Sequence, residues 1–122
     1  MSLRVMIVDD ALFMRNILRD IFLRAGFEVV AEADNGEEVL PLYRQVAPDL
    51  VTLDIIMPKR SGLEALRELM AADPAARVVM VSALGQDALV LEAVDAGARD
   101  FIVKPFKEEK VLEVVRRVTA QD

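Results

Sequence analysis

The sequence DLVTLDIIMP, residues 49–58, decides the fold of this chain. Its apolar run from Leu50 to Leu53 is typical of a strand that is buried inside a parallel sheet. The run leads directly into Asp54, and a carboxylate at the end of a buried strand is costly unless a partner compensates its charge. In open α/β sheets, the carboxyl ends of the strands are also where ligands bind. Asp54 is therefore the first candidate for a functional residue.

Three other apolar runs end in polar side chains in the same way. The residues that follow these runs are Asp9 and Asp10 (after 5–8), Ser82 (after 78–81) and Lys104 (after 101–103). If the strands lie in one parallel sheet, these side chains converge with Asp54 at one edge. Three acids with one amine and one hydroxyl indicate a divalent cation and phosphoryl chemistry.

Strand-like and helix-like patterns alternate five times along the chain, with no linker, repeat or low-complexity tract. Alternating β and α units imply a parallel sheet with right-handed crossovers and helices on both faces. Five strands of this length fit the flavodoxin-like order 2-1-3-4-5, in which the first and third strands are neighbours at the switch point. We therefore predict one doubly wound α/β domain over residues 1–122. The predicted strands are 5–8, 27–33, 50–53, 77–81 and 101–103.

Local signals predict where the helices begin. Asp10 is placed to cap the first helix. Pro41 lies inside the second helical pattern, so we expect either a kink or a late helix start there. Two capping-box patterns precede the second and third helices, and these are Asn35 with Glu38 and Ser61 with Glu64.

Composition excludes several classes of site and partner. The chain has 122 residues, 54% of them hydrophobic, and a net charge of −6, which argues against nucleic acid as a main partner. It has no cysteine and no histidine, so disulfides, zinc sites and a histidine base are excluded. No apolar run approaches the length of a membrane span and no signal peptide is present. We expect a cytoplasmic protein without a membrane partner.

Taken together, these residues resemble the receiver domain of bacterial two-component response regulators. Four motifs in this order carry the resemblance: Val8-Asp9-Asp10, Asp54-x-x-Met57-Pro58 with Gly62, Ser82-Ala83, and the run 100–106 that contains Lys104-Pro105. The resemblance covers nearly the whole chain, and residues 82–86 and 101–106 are similar to chemotaxis members of the CheY type. Two departures are Ser61, where the family usually has Asp, and Phe101, where chemotaxis members commonly have Tyr.

The resemblance implies a phosphorylation site. Asp54 would take a phosphoryl group from the phosphohistidine of a sensor histidine kinase. Asp10, Asp54 and the backbone carbonyl of Ile56 would ligate Mg²⁺, and Asp9 would hold a coordinated water. Lys104 would balance the charge on Asp54 and on the phosphoryl oxygens.

The resemblance also implies a switch. Ser82 would donate to a phosphoryl oxygen, and Phe101 would rotate inward as Ser82 moves. The peptide bond between Lys104 and Pro105 would be cis. Ile56 and Leu84 flank the expected approach of the hydrolytic water, and because neither can orient a water, we expect slow self-dephosphorylation.

The output is expected at a surface formed by the fourth helix, fifth strand and fifth helix. The resemblance points to a monomer that binds the flagellar motor switch protein or another output protein. The alternative is a receiver cut from a longer regulator, such as a methylesterase or a transcription factor. A flavin carrier is disfavoured because its first loop must hold a phosphate, whereas the first loop of this chain carries two acids that would repel one. An aspartyl phosphatase is also disfavoured, because that class usually has a second Asp where this chain has Ile56. A pseudo-receiver, which only binds partners, would be distinguished from a true receiver by a phosphorylation test.

Overall fold

The computed structural model describes residues 2–83 and 85–120, in which five strands alternate with five helices. The strands are β1 (Arg4–Val8), β2 (Glu28–Ala33), β3 (Leu50–Asp54), β4 (Val78–Ala83) and β5 (Asp100–Lys104). The helices are α1 (Leu12–Arg24), α2 (Val39–Val46), α3 (Gly62–Ala72), α4 (Asp87–Asp95) and α5 (Glu108–Thr119). A short 3₁₀ helix, Gly36–Glu38, precedes α2.

All strand pairs are parallel, and the sheet has the order β2-β1-β3-β4-β5. This is the flavodoxin-like order that the sequence predicted, and the predicted fold class is confirmed. Helices α1 and α5 pack on one face of the sheet, whereas α2, α3 and α4 pack on the other. Because the strands run the same way, their carboxyl ends all lie at one edge.

The core has two parts, one on each face of the sheet. Strand β3 lies at the centre, and all five of its residues are buried. Leu50 packs on the side of α1 and α5, whereas Val51 and Leu53 pack on the side of α2, α3 and α4. Burial on both faces explains why this strand is a nearly continuous apolar run and not an alternating pattern.

The predicted cap of α1 is wrong. The helix begins at Leu12, so Ala11 is its N-cap and no side chain caps it. Asp10 lies one residue too early, and its side chain is exposed. The acid that bonds to the backbone here is Asp9, whose Oδ1 accepts from the amide of Ala11 at 2.9 Å.

The start of α2 confirms one of the two expectations for Pro41. The helix begins late, at Val39, so Pro41 falls within its first turn, where a backbone N–H has no acceptor inside the helix. The Asn35 side chain accepts from the amides of Glu37 and Glu38, as a cap does. The carboxylate of Glu38 receives a hydrogen bond from the side chain of Asn35 and not from its amide, so the predicted capping box is only half formed.

Two further local predictions are resolved. Ser61 and Glu64 form the capping box at the start of α3, as predicted. Strand β4 runs two residues beyond its predicted end, so Ser82 lies inside the strand and not after it. None of the helices in the described ranges combines the length and the hydropathy needed to cross a membrane.

Replacing Thr52 by valine is expected to stabilise the protein. Thr52 is buried in β3 between Ile7 and Val79 of the flanking strands, and its hydroxyl has no hydrogen-bond partner among the described residues. Burial of an unpaired hydroxyl opposes folding, so Thr52→Val should raise the unfolding free energy by about 1 kcal/mol.

Urea denaturation measures this change, with an unchanged m value. Thr119→Val is the matched control, because the Thr119 hydroxyl donates to the carbonyl of Val115 at 2.8 Å and its loss should not stabilise. A Thr52→Val protein no more stable than the parent would contradict the prediction.

Candidate functional site: an acidic cluster bridged by a lysine

Lys104 connects two acids at the carboxyl edge of the sheet. It ends β5, and its Nζ donates to Asp54 Oδ2 at 3.1 Å and to Asp9 Oδ2 at 2.9 Å. Asp54 ends β3 and is 6% exposed, and Asp9 follows β1 and is 1% exposed. The amine therefore lies between two buried carboxylates and offsets their charges.

Asp9 is held at four atoms. Its amide donates to the carbonyl of Ala33 at 3.1 Å, and its own carbonyl accepts from Arg15 Nη1 at 2.7 Å. Its two carboxylate oxygens accept from the amide of Ala11 and from Lys104. Asp9 is thus fixed in position before any ligand arrives.

Asp10 completes a group that is suited to a metal ion. One carboxylate oxygen from each of Asp9, Asp10 and Asp54 lies within 4.8 Å of the others. The Asp10 carboxylate is exposed and makes no hydrogen bond or ion pair with any residue in 2–83 or 85–120. An all-oxygen set that is open to solvent on one side fits Mg²⁺, which prefers carboxylates and keeps several waters.

Burial raises the pKa of Asp54, and the charge of Asp9 raises it further, while Lys104 acts in the opposite direction. Burial alone would lower the pKa of Lys104, but its hydrogen bonds and charge interactions with Asp9 and Asp54 outweigh that effect, so the pKa is raised. The lysine is therefore charged at neutral pH, while the ionised form of Asp54 carries a cost that a cation would relieve.

Two glycines fix the loop that follows Asp54. The amide of Gly62 donates to the carbonyl of Ile55 at 2.8 Å, and a Cβ at Gly62 would lie 1.9 Å from the Asp54 carbonyl oxygen. A Cβ at Gly36 would lie 1.9 Å from the carbonyl oxygen of Arg60, further along the same loop. The backbone can approach this closely only where glycine stands.

The loop places Ile56 at the mouth of the site. Its side chain is 53% exposed, and its amide lies 3.4 Å from Asp54 Oδ1, a long hydrogen bond. The predicted roles of its carbonyl as a metal ligand and of its side chain in hydrolysis stay predictions. Leu84, the second residue predicted to affect hydrolysis, lies outside the described residues.

Ser82 and Phe101 lie next to an apolar cavity. Ser82 is 1% exposed and pairs with Val103 across β4 and β5, one position before the pair of Ala83 with Lys104. Phe101 is 39% exposed. Its ring borders a cavity of about 250 Å³ that Ser82 also lines. A cavity of roughly 150 Å³ can hold benzene, so this one has room for the phenyl ring. The inward rotation itself stays a prediction.

The peptide bond between Lys104 and Pro105 is cis, as the resemblance implied.

The sequence patterns did not identify Arg15 and Gly36 as residues of the site. The sequence offered only two signals for Arg15. It is a base one turn into the first helix, shortly after two acids, and a second base, Arg19, follows four residues later. Nothing in the sequence linked Gly36 to the loop after Asp54.

The comparisons with known proteins agree with this fold. A family model described as the response regulator receiver domain matches residues 5–116. The chemotaxis protein CheY of Thermotoga maritima is 50% identical, and the match covers 98% of this chain and 99% of that protein. CheY of Listeria monocytogenes is 53% identical over 94% of this chain and 97% of that protein.

Solved structures give the same result. A crystal structure of a CheX-CheY complex with BeF3 and Mg²⁺ from Borrelia burgdorferi matches with a TM-score of 0.93 and 42% identity, covering 98% of this chain and 90% of that chain. The chain belongs to the response regulator receiver domain family, whose members are phosphoryl-accepting signalling proteins. Within that family its similarity lies with the CheY type, and the alternative of a receiver cut from a longer regulator is not favoured.

Replacing Asp54 by asparagine is expected to stabilise the metal-free protein at neutral pH. A raised pKa means that the folded state binds this proton more tightly than the unfolded state does, so ionised Asp54 opposes folding. The gain of Asp54→Asn over the parent should vanish below the ordinary Asp pKa of 3.8 and grow as pH rises through the raised pKa. Lys104 keeps its hydrogen bond to Asp9 in this variant.

Urea denaturation of both proteins between pH 3 and pH 7, without divalent cations, measures the difference. Asp20→Asn also removes one carboxylate, from an exposed acid on α1, and serves as the control. A constant difference between parent and Asp54→Asn over the whole range would contradict the prediction.

Proposed function

We propose that the chain is a phosphoryl-accepting switch in which Asp54 is phosphorylated by a sensor histidine kinase. The observation that carries this proposal is the Lys104 amine held between Asp54 and Asp9, with the open carboxylate of Asp10 beside them. A buried acid with a fixed amine and two further acids is arranged to accept a phosphoryl group and to neutralise the charge that comes with it.

In the proposed transfer, a carboxylate oxygen of Asp54 attacks the phosphorus of a phosphohistidine. The new O–P bond forms as the P–N bond breaks, and the imidazole of the kinase leaves, so the product is an acyl phosphate. Asp10, Asp54 and the carbonyl of Ile56 would hold Mg²⁺, and Asp9 would hold one of its waters. When bound, the ion supplies positive charge next to the phosphoryl oxygens.

Lys104 and Ser82 act on the phosphorylated form. The amine that now bonds to Asp54 Oδ2 is within reach of the new phosphoryl group and would donate to one of its oxygens. Ser82, on the neighbouring strand, would donate to another. Movement of Ser82 changes the wall of the cavity beside Phe101, and the ring then rotates inward. The surface formed by α4, β5 and α5 changes with it.

The CheY-type relatives support a proposal about the partners. We infer that the chain acts in chemotaxis, in the cytoplasm and as a monomer, and that its output partner is a flagellar motor switch protein or another protein that binds the changed surface. The complex of CheX with CheY in Borrelia burgdorferi shows that a relative binds a protein partner in the presence of BeF3 and Mg²⁺. After a flagellar motor switch protein, a protein similar to CheX is therefore the second class of partner to test.

Asp54 is expected to be the sole phosphorylation site. Incubation with a small phosphodonor and Mg²⁺, followed by peptide mapping, should place the modification on Asp54 and find none in Asp54→Asn. Asp49→Asn is the matched control, because Asp49 lies at the other end of β3 with its carboxylate bonded to the amide of Arg4, and it should be phosphorylated like the parent. Modification of Asp54→Asn at the parental level would exclude this function.

Ile56 is expected to slow the loss of the phosphoryl group. An apolar side chain at the mouth of the site cannot orient a water, so the double change Ile56→Asn with Leu84→Glu should speed hydrolysis by roughly tenfold, or about 1.4 kcal/mol of barrier, and Ile56→Asn alone should give part of that increase. The lifetime of the phosphorylated form after removal of the donor measures this. Leu23→Asn is the control, since Leu23 is also 53% exposed but lies near the opposite end of α1. Equal lifetimes for the parent and Ile56→Asn would show that this side chain does not affect the water.

A further inference from the structure

Arg15 reaches from α1 to the backbone of the acidic cluster. Strand β1 ends at Val8, and its pairing with β2 continues only through the amide of Asp9, which donates to Ala33. The carbonyl of Asp9 belongs to the first residue after the strand, and Arg15 Nη1 donates to it at 2.7 Å. A side chain thus takes over the hydrogen bond to the first backbone acceptor after β1.

The guanidinium of Arg15 is itself held in place. Its Nε lies 3.3 Å from Glu32 Oε1, and the second oxygen of Glu32 accepts from Arg19, one turn further along α1. The side chains of Arg15 and Glu32 are only 14% and 22% exposed. A partly buried, doubly held guanidinium is a rigid donor, because its planar fork has little freedom left.

The position of the Asp9 carbonyl restrains where the amide and Cα of Asp10 lie. The peptide unit is planar, so the Asp9 carbonyl and the amide and Cα of Asp10 lie in one plane. The carboxylate of Asp9 is already fixed by Ala11 and Lys104, whereas that of Asp10 has no bond to the described residues. The Arg15 hydrogen bond therefore acts mainly on Asp10.

We propose that Arg15 is a positioning residue for the metal site: its hydrogen bond to the Asp9 carbonyl aims Asp10 at the cation. This inference rests on the proposed function, in which Asp10 is a ligand of Mg²⁺. Mg²⁺ demands nearly ideal octahedral geometry, so a ligand that must first be ordered weakens its binding. Outer-shell partners that orient ligands typically change metal affinity by about 10-fold to 100-fold.

Charge and position have opposite signs here, which makes the inference testable. If Arg15 acted only through its positive charge, its removal would strengthen the binding of Mg²⁺ to the acids. If Arg15 acts by positioning Asp10, its removal weakens binding. Arg19 provides the matched control, since it pairs with the same Glu32 and makes no hydrogen bond to Asp9.

The experiment titrates Mg²⁺ alone into the parent, Arg15→Met and Arg19→Met, following backbone amide signals by NMR and the dissociation constant by calorimetry. We expect Arg15→Met to weaken Mg²⁺ binding by about tenfold and Arg19→Met to change it by less than about twofold. In the metal-free proteins, the carbonyl carbon signal of Asp9 should shift in Arg15→Met and not in Arg19→Met. Arg15→Lys keeps the charge and one donor, so it should recover part of the affinity.

Equal dissociation constants for Arg15→Met and Arg19→Met, or tighter binding by Arg15→Met, would overturn the positioning role while leaving the proposed function intact. Failure of the parent to bind Mg²⁺ would overturn the metal site and this inference together. If Arg15→Met unfolds, Arg15→Lys decides alone. Weaker binding together with a shifted Asp9 carbonyl signal, or parental binding with an unshifted signal, would support the positioning role. Parental binding with a shifted signal, or weaker binding with an unshifted signal, would overturn it.

Discussion

The structure depends on one amine placed between two buried carboxylates. Two like charges about 4 Å apart repel by roughly 4 kcal/mol at an effective dielectric constant near 20. The repulsion between Asp9 and Asp54 therefore opposes formation of the sheet that brings them together. Lys104 offsets this repulsion through hydrogen bonds to both acids. Because the three residues stand at the ends of β1, β3 and β5, the amine also links an edge strand to the centre of the sheet. The strand order of the sheet is therefore also what brings the charged residues of the site together.

The sheet and the acidic cluster could be predicted from the sequence because both depend on local patterns. The apolar run before Asp54 indicates a buried strand, and alternating units limit the topologies to a few. Once the order places β1 beside β3, Asp9 and Asp54 must meet. The same reasoning does not reach the start of α1, since a shift of one residue moved the cap position from Asp10 to Ala11. Boundaries of this kind are decided by competing hydrogen bonds that differ little in energy.

The contacts that helix and loop residues make with distant segments could not be predicted. Arg15 meets the Asp9 carbonyl only because α1 packs against the end of β2, where Glu32 fixes its guanidinium. Gly36 stands where it does because the loop after Asp54 passes within contact distance of its backbone. Neither requirement leaves a periodic pattern in the sequence. The acids could be recognised because polar residues at the carboxyl ends of parallel strands are general candidates for a functional site. The positions of these supporting residues depend instead on the particular path of the chain.

The two close glycine contacts also bear on how this protein can diverge. Gly62 and Gly36 fix the path of the loop after Asp54 from both sides, and the hydrogen bond from Gly62 to Ile55 closes it. The loop therefore has little freedom in length, because an inserted residue would disturb the close approach of Gly62 to the Asp54 carbonyl. Its exposed side chains, with Ile56 among them, are under no such restraint. Under the role proposed for Ile56, single substitutions in this loop would change the duration of a response, while the path of its backbone is inherited unaltered.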